Sequence, residues 1–361
     1  MTDYKIPDRT FTDRKNLTFR LAKMVAVWGY KHLTKPFLEL HEDIVRLKKN
    51  NAVFFYAPLH KSLWETSGIL VPLSLSKLPL PYIGMGDNLI RGGFFRRLCR
   101  DVGIFLILRA TNRSEMLASA IDLKRQMVEH FAFGKDVLIF PEGTRTSIPK
   151  TGKYGKFFPA AFEGLLEYER NKQEYLKENP GLIHHDLYII PGTTDYSKVR
   201  EDIEMTEGTK GKPRTLRIWD TIKMIKNIRE TYIDFGKPIR VSDHLDKDRK
   251  ELAEFTRAKC LELVKILPIN IVSWAILESV EGECINVSKI EGNISFYIQK
   301  LINFKDRFRG FSENDSPSAI FEKVNKYDSL FKLKNIDIRH IKVYRLYANY
   351  IGHLFEDIKK D

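Results

Sequence analysis

The chain has 361 residues, with 60 lysines and arginines against 47 acidic residues and a formal charge of +13 when histidine is neutral. That length fits one large domain with appendages or two domains, and 43% apolar with 12% aromatic residues is enough for a packed core, which excludes general disorder. Twenty-one glycines and 15 prolines exclude a collagen-like or mucin-like chain, and three scattered cysteines (Cys99, Cys260, Cys284) without CxxC spacing argue against a disulfide scaffold or a cysteine zinc site.

The first fifteen residues, MTDYKIPDRTFTDRK, are charged from the third position and hold no apolar run, so no secretory leader is expected. Residues 14–33 place Leu17, Leu21, Met24, Val25 and Trp28 on one helical face, with Arg20, Lys23 and Lys31 largely off it. Such a basic amphipathic helix either packs on its own domain or lies in a membrane interface with Trp28 at headgroup level. From about residue 51, short apolar runs alternate with helical stretches. Strands are expected at Ala52–Tyr56, Tyr82–Met85, Gly103–Leu108, Val137–Phe140 and Leu187–Ile190, and near 216–219 and 232–235. Ser114 is expected to cap a helix running to about Phe133, stopped by Gly134, and a second helix is expected over Phe158–Arg170 with Pro159 in its first turn. The polar stretch 206–214, TEGTKGKPR, reads as an insertion without Walker spacing. Beyond 241 the pattern is helical, with Ser242 leading into 246–266 and a further helix over 339–355.

This alternation predicts an α/β fold with a largely buried sheet. The boundaries expected are an N-terminal amphipathic helical segment over 1–48, an α/β domain over 49–240 and a helical region over 241–361. The longest charge-free run, Ile266–Leu277, is 12 residues and contains Pro268, short of the roughly 18 apolar residues a spanning helix needs, so no transmembrane span is expected. The basic excess still needs an acidic counterpart: nucleic acid, anionic lipid headgroups, an acidic carrier protein or a phosphorylated substrate.

Three places could carry chemistry. In APLHKSLWETSG, His60 and Glu65 are five residues apart, about 140° around a helix, and meet only if His60 lies in the loop before the helix starts. The pair is then an imidazole oriented by a carboxylate, as a general base requires. Ser62 and Glu65 also match a capping box, so Glu65 could hold only the helix start, although the two roles are not exclusive because a capped helix start is also a rigid mount for His60. In VLIFPEGTRT, a buried strand ends in a turn where Gly143 allows close approach of backbone N–H groups and Arg145 offers a bidentate fork for phosphate; the plain alternative is an exposed turn with an ion pair. Arg91, Arg96, Arg97, Arg100, Arg109 and Arg113, followed by Lys150, Lys153 and Lys156, make a basic cluster that is either a solvated face or an anion site. Cys99 among arginines is a nucleophile candidate or a buried helix residue. No set of ligands at metal spacing and no GxSxG elbow stands out.

Taken in order, these segments resemble the four blocks of the glycerophospholipid acyltransferase superfamily. His60-x4-Glu65 resembles its first block, normally His-x4-Asp; Gly103–Arg109 its second; Phe140-Pro-Glu-Gly-Thr-Arg-Thr146 its third; and Tyr188-Ile-Ile-Pro191 its fourth. Gly86-Asp-Asn-Leu89, Gly93–Leu98, Leu267–Leu277 and Tyr347–Phe355 resemble the branch that acylates glycerol 3-phosphate and dihydroxyacetone phosphate. The resemblance implies the acyltransferase fold, a mixed, largely buried sheet flanked by helices, with helical N- and C-terminal extensions. It implies His60 and Glu65 as catalytic residues, and Arg109, Glu142, Gly143, Thr144, Arg145 and Pro191 as substrate-binding ones, with Arg109 and Arg145 on the acceptor phosphate and Glu142 on a glycerol hydroxyl. It implies no metal and no cofactor beyond an acyl-CoA or acyl carrier protein thioester as co-substrate. The acceptor expected is glycerol 3-phosphate, with 1-acylglycerol 3-phosphate or dihydroxyacetone phosphate as alternatives; a non-catalytic basic module on membrane or nucleic acid is the rival of another class. Peripheral attachment to an anionic membrane surface on the cytoplasmic side is expected, and nucleic acid is not. Two departures stand out: Glu65 is one methylene longer than the usual Asp, and Leu108 takes the place of the first of two arginines.

Overall fold

The computed structural model describes residues 35–62, 65–89, 97, 99–109, 112–143, 147–199, 202–207 and 230–358. The amphipathic 14–33 stretch, the strand expected near 216–219, most of the 206–214 insertion, and Arg91, Arg96, Thr144 and Arg145 lie outside the described residues.

The main sheet is built from β1 (Lys35–Leu40), β2 (Val53–Pro58), β3 (Tyr82–Gly86), β4 (Ile104–Ile107), β5 (Val137–Leu138), β6 (Leu187–Tyr196), β7 (Glu230–Phe235) and β8 (Ile239–Arg240), and Val280–Glu281 pairs with Cys284–Ile285 in a separate small hairpin. The strands of the main sheet run in the order β1-β7-β6-β2-β5-β3-β4, with β8 on β6. The block β6-β2-β5-β3-β4 is parallel throughout. β7 and β8 run antiparallel to β6, and β1 runs parallel to β7, so the sheet is mixed. Residues 35–48, expected in an N-terminal helical segment, instead contribute an edge strand and the helix α1 (Glu42–Lys49), whose entry is capped by the His41 side chain.

β2 explains why the sheet is buried on both faces. Its sequence VFFYAP is apolar at nearly every position, the pattern of a central parallel strand covered on both sides. Val53, Phe55 and Ala57 pack into one hydrophobic cluster, while Phe54 and Tyr56 pack into the other. Helix α2 (Glu65–Leu75), with Ile69 and Leu73, covers the second face together with Ile44 of α1. On the first face lie α3 (Arg113–Ala132), the short α4 (Ser147–Thr151) and α5 (Pro159–Glu178). Each fully buried aromatic of β2 contributes about 1.5–3 kcal/mol.

Several boundaries differ from the sequence reading for local reasons. The N-cap of α3 is Asn112, whose side chain accepts from Glu115 N; Ser114 hydrogen-bonds back to Asn112 and does not cap. Gly134 does end the helix, at φ +65°. β5 is only two residues long, and α5 runs eight residues past Arg170. β6 continues through Pro191 to Tyr196, because bonds from Leu59 N to Gly192 O (3.0 Å) and from Gly236 N to Pro191 O (3.0 Å) carry the pairing past the missing proline donor.

After α6 (Asp202–Glu207), the C-terminal helices α7 (Arg249–Leu261), α8 (Pro268–Glu278), α9 (Ile290–Lys300), α10 (Pro317–Tyr327), α11 (Ile341–Asn349) and α12 (Gly352–Ile358) pack into the same core as the first sheet face. α7 starts at a capping box made by Asp248 and Glu251, later than Ser242 suggested. The expected 339–355 helix is broken at Tyr350–Ile351 into α11 and α12. Among the described residues no helix is long and apolar enough to cross a membrane.

Candidate active site

Parallel pairing sets the site. Tyr56 of β2 is in register with Leu138 of β5, so the loops leaving the two carboxyl ends run side by side. Loops at the carboxyl ends of parallel strands are where α/β sheets bind ligands. The His60 ring stacks on Phe140, with centroids 4.4 Å apart and planes 21° from parallel. The His60 N–H donates to Glu142 Oε1 at 2.9 Å, tying the first block to the third.

His60 lies in the loop, and Glu65 is the first residue of α2, the arrangement that lets residues five apart meet. His60 Nδ1 is 2.6 Å from Glu65 Oε2, and the Lys61 N–H donates to Glu65 Oε1, also at 2.6 Å. Glu65 is fully buried, whereas the His60 side chain keeps 17% exposure. A carboxylate on Nδ1 fixes the tautomer in which Nδ1 carries the proton and Nε2 is a base. Glu65 thus orients the imidazole from the first residue of the helix, a rigid mount for the His60 loop. The Glu65 oxygens go to His60 and to the N–H of Lys61, one residue ahead of Ser62, and the bond at the helix start runs from Glu65 N to Ser62 O at 3.4 Å.

On the next pair of strands, Gly86 and Ile107 are in register. Arg109 N donates to Asp87 Oδ1 at 2.9 Å, and the Arg109 guanidinium donates to Gly143 O at 2.5 Å. Arg109 is exposed at the same end of the sheet. Gly143 has φ +63°, and a Cβ there would stand 2.9 Å from Phe158 Cε2, so both backbone and space require glycine.

Glu142 stands directly before Gly143 in the same turn. It is 2% exposed, and its second oxygen accepts Gly155 N–H at 2.8 Å, so it fastens the His60 loop to the segment before α5. Burial raises its carboxyl pKa, opposed by the two amide bonds. Pro191 is likewise buried inside β6 beside Ala57 and is not presented to solvent. Cys99 is half-buried, and that burial raises its thiol, the reverse of an activated nucleophile. Among the described residues no group of three or more His, Cys, Asp or Glu could hold a metal ion.

Sequence reasoning missed Phe140 as the ring under His60, Gly155 as a partner of Glu142, and Lys61. The lysine is 1% exposed and pairs with Asp195 of β6. Nothing local to HKS signals a buried lysine, because its partner lies 134 residues away.

Residues 41–193 match the family model described as Acyltransferase. This stretch, under half of the chain, holds the histidine–glutamate dyad, Arg109 and the Glu142–Gly143 turn. The chain is also similar to proteins named glycerol-3-phosphate acyltransferase. The one from Haemophilus ducreyi is 27% identical over 256 residues, covering 67% of this chain and 29% of the relative. That of Actinobacillus pleuropneumoniae serotype 5b is 24% identical over 392 residues, covering 97% of this chain and 45% of the relative. The chain thus spans less than half the length of these curated relatives. Among solved structures, the 1-acyl-sn-glycerophosphate (LPA) acyltransferase, PlsC, from Thermotoga maritima is similar over 70% of this chain and 82% of its own, at 12% identity and a TM-score of 0.39.

Proposed function

We propose that this chain transfers a fatty acyl group from a thioester to the 1-hydroxyl of glycerol 3-phosphate, forming lysophosphatidic acid, the first acylation of phospholipid synthesis. The observation that carries this reading is the 2.6 Å contact between His60 Nδ1 and buried Glu65, at the carboxyl edge of the parallel strands and inside the matched segment. An alcohol is a poor nucleophile at neutral pH, and an imidazole titrating near about 6.5 can take its proton as attack occurs. His60 Nε2 accepts the hydroxyl proton while the oxygen attacks the thioester carbonyl. The tetrahedral intermediate collapses, the C–S bond breaks, and the imidazolium returns the proton to the departing thiolate. Products are the ester and a free thiol. Glu65 stabilises the imidazolium between these steps.

Arg109 is assigned to the acceptor phosphate, and Thr144 and Arg145, next after Gly143 in the sequence, are assigned to the same substrate. The scheme uses acyl-CoA or acyl carrier protein as co-substrate and calls for no cofactor of the protein's own. The +13 charge suits phosphorylated substrates and supports work at an anionic membrane surface on the cytoplasmic side. Incubating the protein with palmitoyl-CoA and each acceptor in turn, with products separated by chromatography, tests the acceptor. Glycerol 3-phosphate should be acylated; turnover confined to 1-acylglycerol 3-phosphate or to dihydroxyacetone phosphate would overturn that choice.

A further inference from the structure

Lys61 follows the proposed base directly, and its ammonium is enclosed by the protein. Lys61 Nζ pairs with Asp195 and donates to Thr193 Oγ1 at 3.2 Å, both on β6. It also lies 5.5 Å from the ring centroid of Tyr154 and 5.3 Å from that of Tyr350, two aromatic faces that attract a desolvated cation. Tyr154 comes from the segment before α5, and Tyr350 from the junction of α11 and α12. The two segments are joined directly, since Tyr154 OH donates to the backbone carbonyl of Tyr350 at 3.1 Å. Asp195 is fixed independently, accepting the Lys265 N–H at 3.0 Å.

The main chain of the same lysine belongs to the dyad. Its N–H donates to Glu65 Oε1, while Glu65 Oε2 holds His60. An unpaired charge is expensive to bury, so the ammonium must stay where Asp195, Thr193 and the two rings are. That requirement fixes the backbone at residue 61 and, through it, the carboxylate that orients the imidazole. We infer that Lys61 is a positioning residue for the His60–Glu65 dyad, and that Tyr350 makes the C-terminal helices part of the active-site framework. The kinetic side of this inference rests on the proposed function; the geometric side does not.

The test is the double variant Lys61→Met/Asp195→Asn, which removes both buried charges together and leaves an oxygen for Lys265 N–H. Two quantities are read: ring 15N shifts of His60, assigned through His60→Ala, and kcat and KM for glycerol 3-phosphate. The wild-type shifts should report the single tautomer protonated at Nδ1. In the double variant they should move toward a tautomer mixture, with kcat lower on the order of 10- to 100-fold and KM within about twofold. A folded double variant with wild-type shifts and wild-type kcat overturns the inference. If the wild type transfers no acyl group, the proposed function fails and the ring shifts still decide the positioning role. If the double variant does not fold, Tyr350→Leu decides, since it leaves the Lys61–Asp195 pair in place. His60 shifts moving in the same direction support the inference, and unchanged shifts overturn it.

Discussion

At position 65 one methylene decides how the dyad is built. Glu65 starts α2 and bridges His60 Nδ1 and Lys61 N–H with its two oxygens, each at 2.6 Å. Aspartate at the same backbone position cannot span both, so Glu65→Asp should lower kcat on the order of 10-fold or more without unfolding the protein, as steady-state thiol release would show. Glu65→Gln cannot stabilise the imidazolium and should cost on the order of 10²- to 10⁴-fold. Arg109 is exposed, so Arg109→Ala should leave the urea midpoint almost unchanged and raise KM for the phosphate acceptor on the order of 10-fold or more, by loss of a charge-assisted bond. Gly143→Ala meets both a left-handed φ and Phe158, and should destabilise the fold by about 1–3 kcal/mol. His60, Glu65 and Arg109 were legible because each stands in a compact block at the end of an apolar run. The backbone bonds of Glu142 were not legible, since its partners, the N–H groups of His60 and Gly155, are backbone atoms that no side-chain pattern marks.

At the scale of elements, the site is a consequence of strand register. β2 beside β5, and β3 beside β4, bring the first block to the third and the second block to Asp87. The order of the strands along the sheet is not written in any local stretch, so the blocks could be found in the sequence but not set next to one another. Strand positions were legible where apolar runs are bounded by Pro or Gly, as at β2 and β3. They were least legible where a long element crosses a supposed breaker, as β6 does at Pro191. The start of α3 offers a clean check on capping. Asn112→Ala should cost about 1 kcal/mol in urea denaturation, because it removes the acceptor for Glu115 N, while Ser114→Ala should cost less than about 0.5 kcal/mol. An equal loss in the two variants would contradict the capping assignment.

In the molecule as a whole, the C-terminal helices are bonded into the α/β layer. Tyr347 of α11 donates to Asp202 at 2.7 Å and accepts from Val199 N at 3.0 Å, and Trp274 of α8 ties α11 to its neighbour by donating to Ala348 O at 2.8 Å. Burial pushes the Asp202 carboxyl up to about 6 from 3.8, so the folded state holds that proton more tightly and stability from this group falls as pH rises from about 4 to 6. Burial, with the nearby Lys61 charge second, pushes His353 down to about 4 from 6.5, so its contribution is present above 6.5 and is lost as pH falls toward 4. The two oppose each other in one window, and each shows only by difference. Relative to wild type, Asp202→Asn should gain stability as pH rises from 4 to 6, on the order of 2–3 kcal/mol, and His353→Gln should gain it as pH falls below 6.5, both read from chemical denaturation at each pH. The central claim is that His60, oriented by Glu65, removes the proton from an acceptor alcohol. Its most direct measurement is free thiol released from palmitoyl-CoA with glycerol 3-phosphate, wild type beside folded His60→Ala. Acceptor-dependent release that falls on the order of 10²- to 10⁴-fold in His60→Ala is the result expected; release that is equal in the two proteins, or that ignores the acceptor, would contradict it.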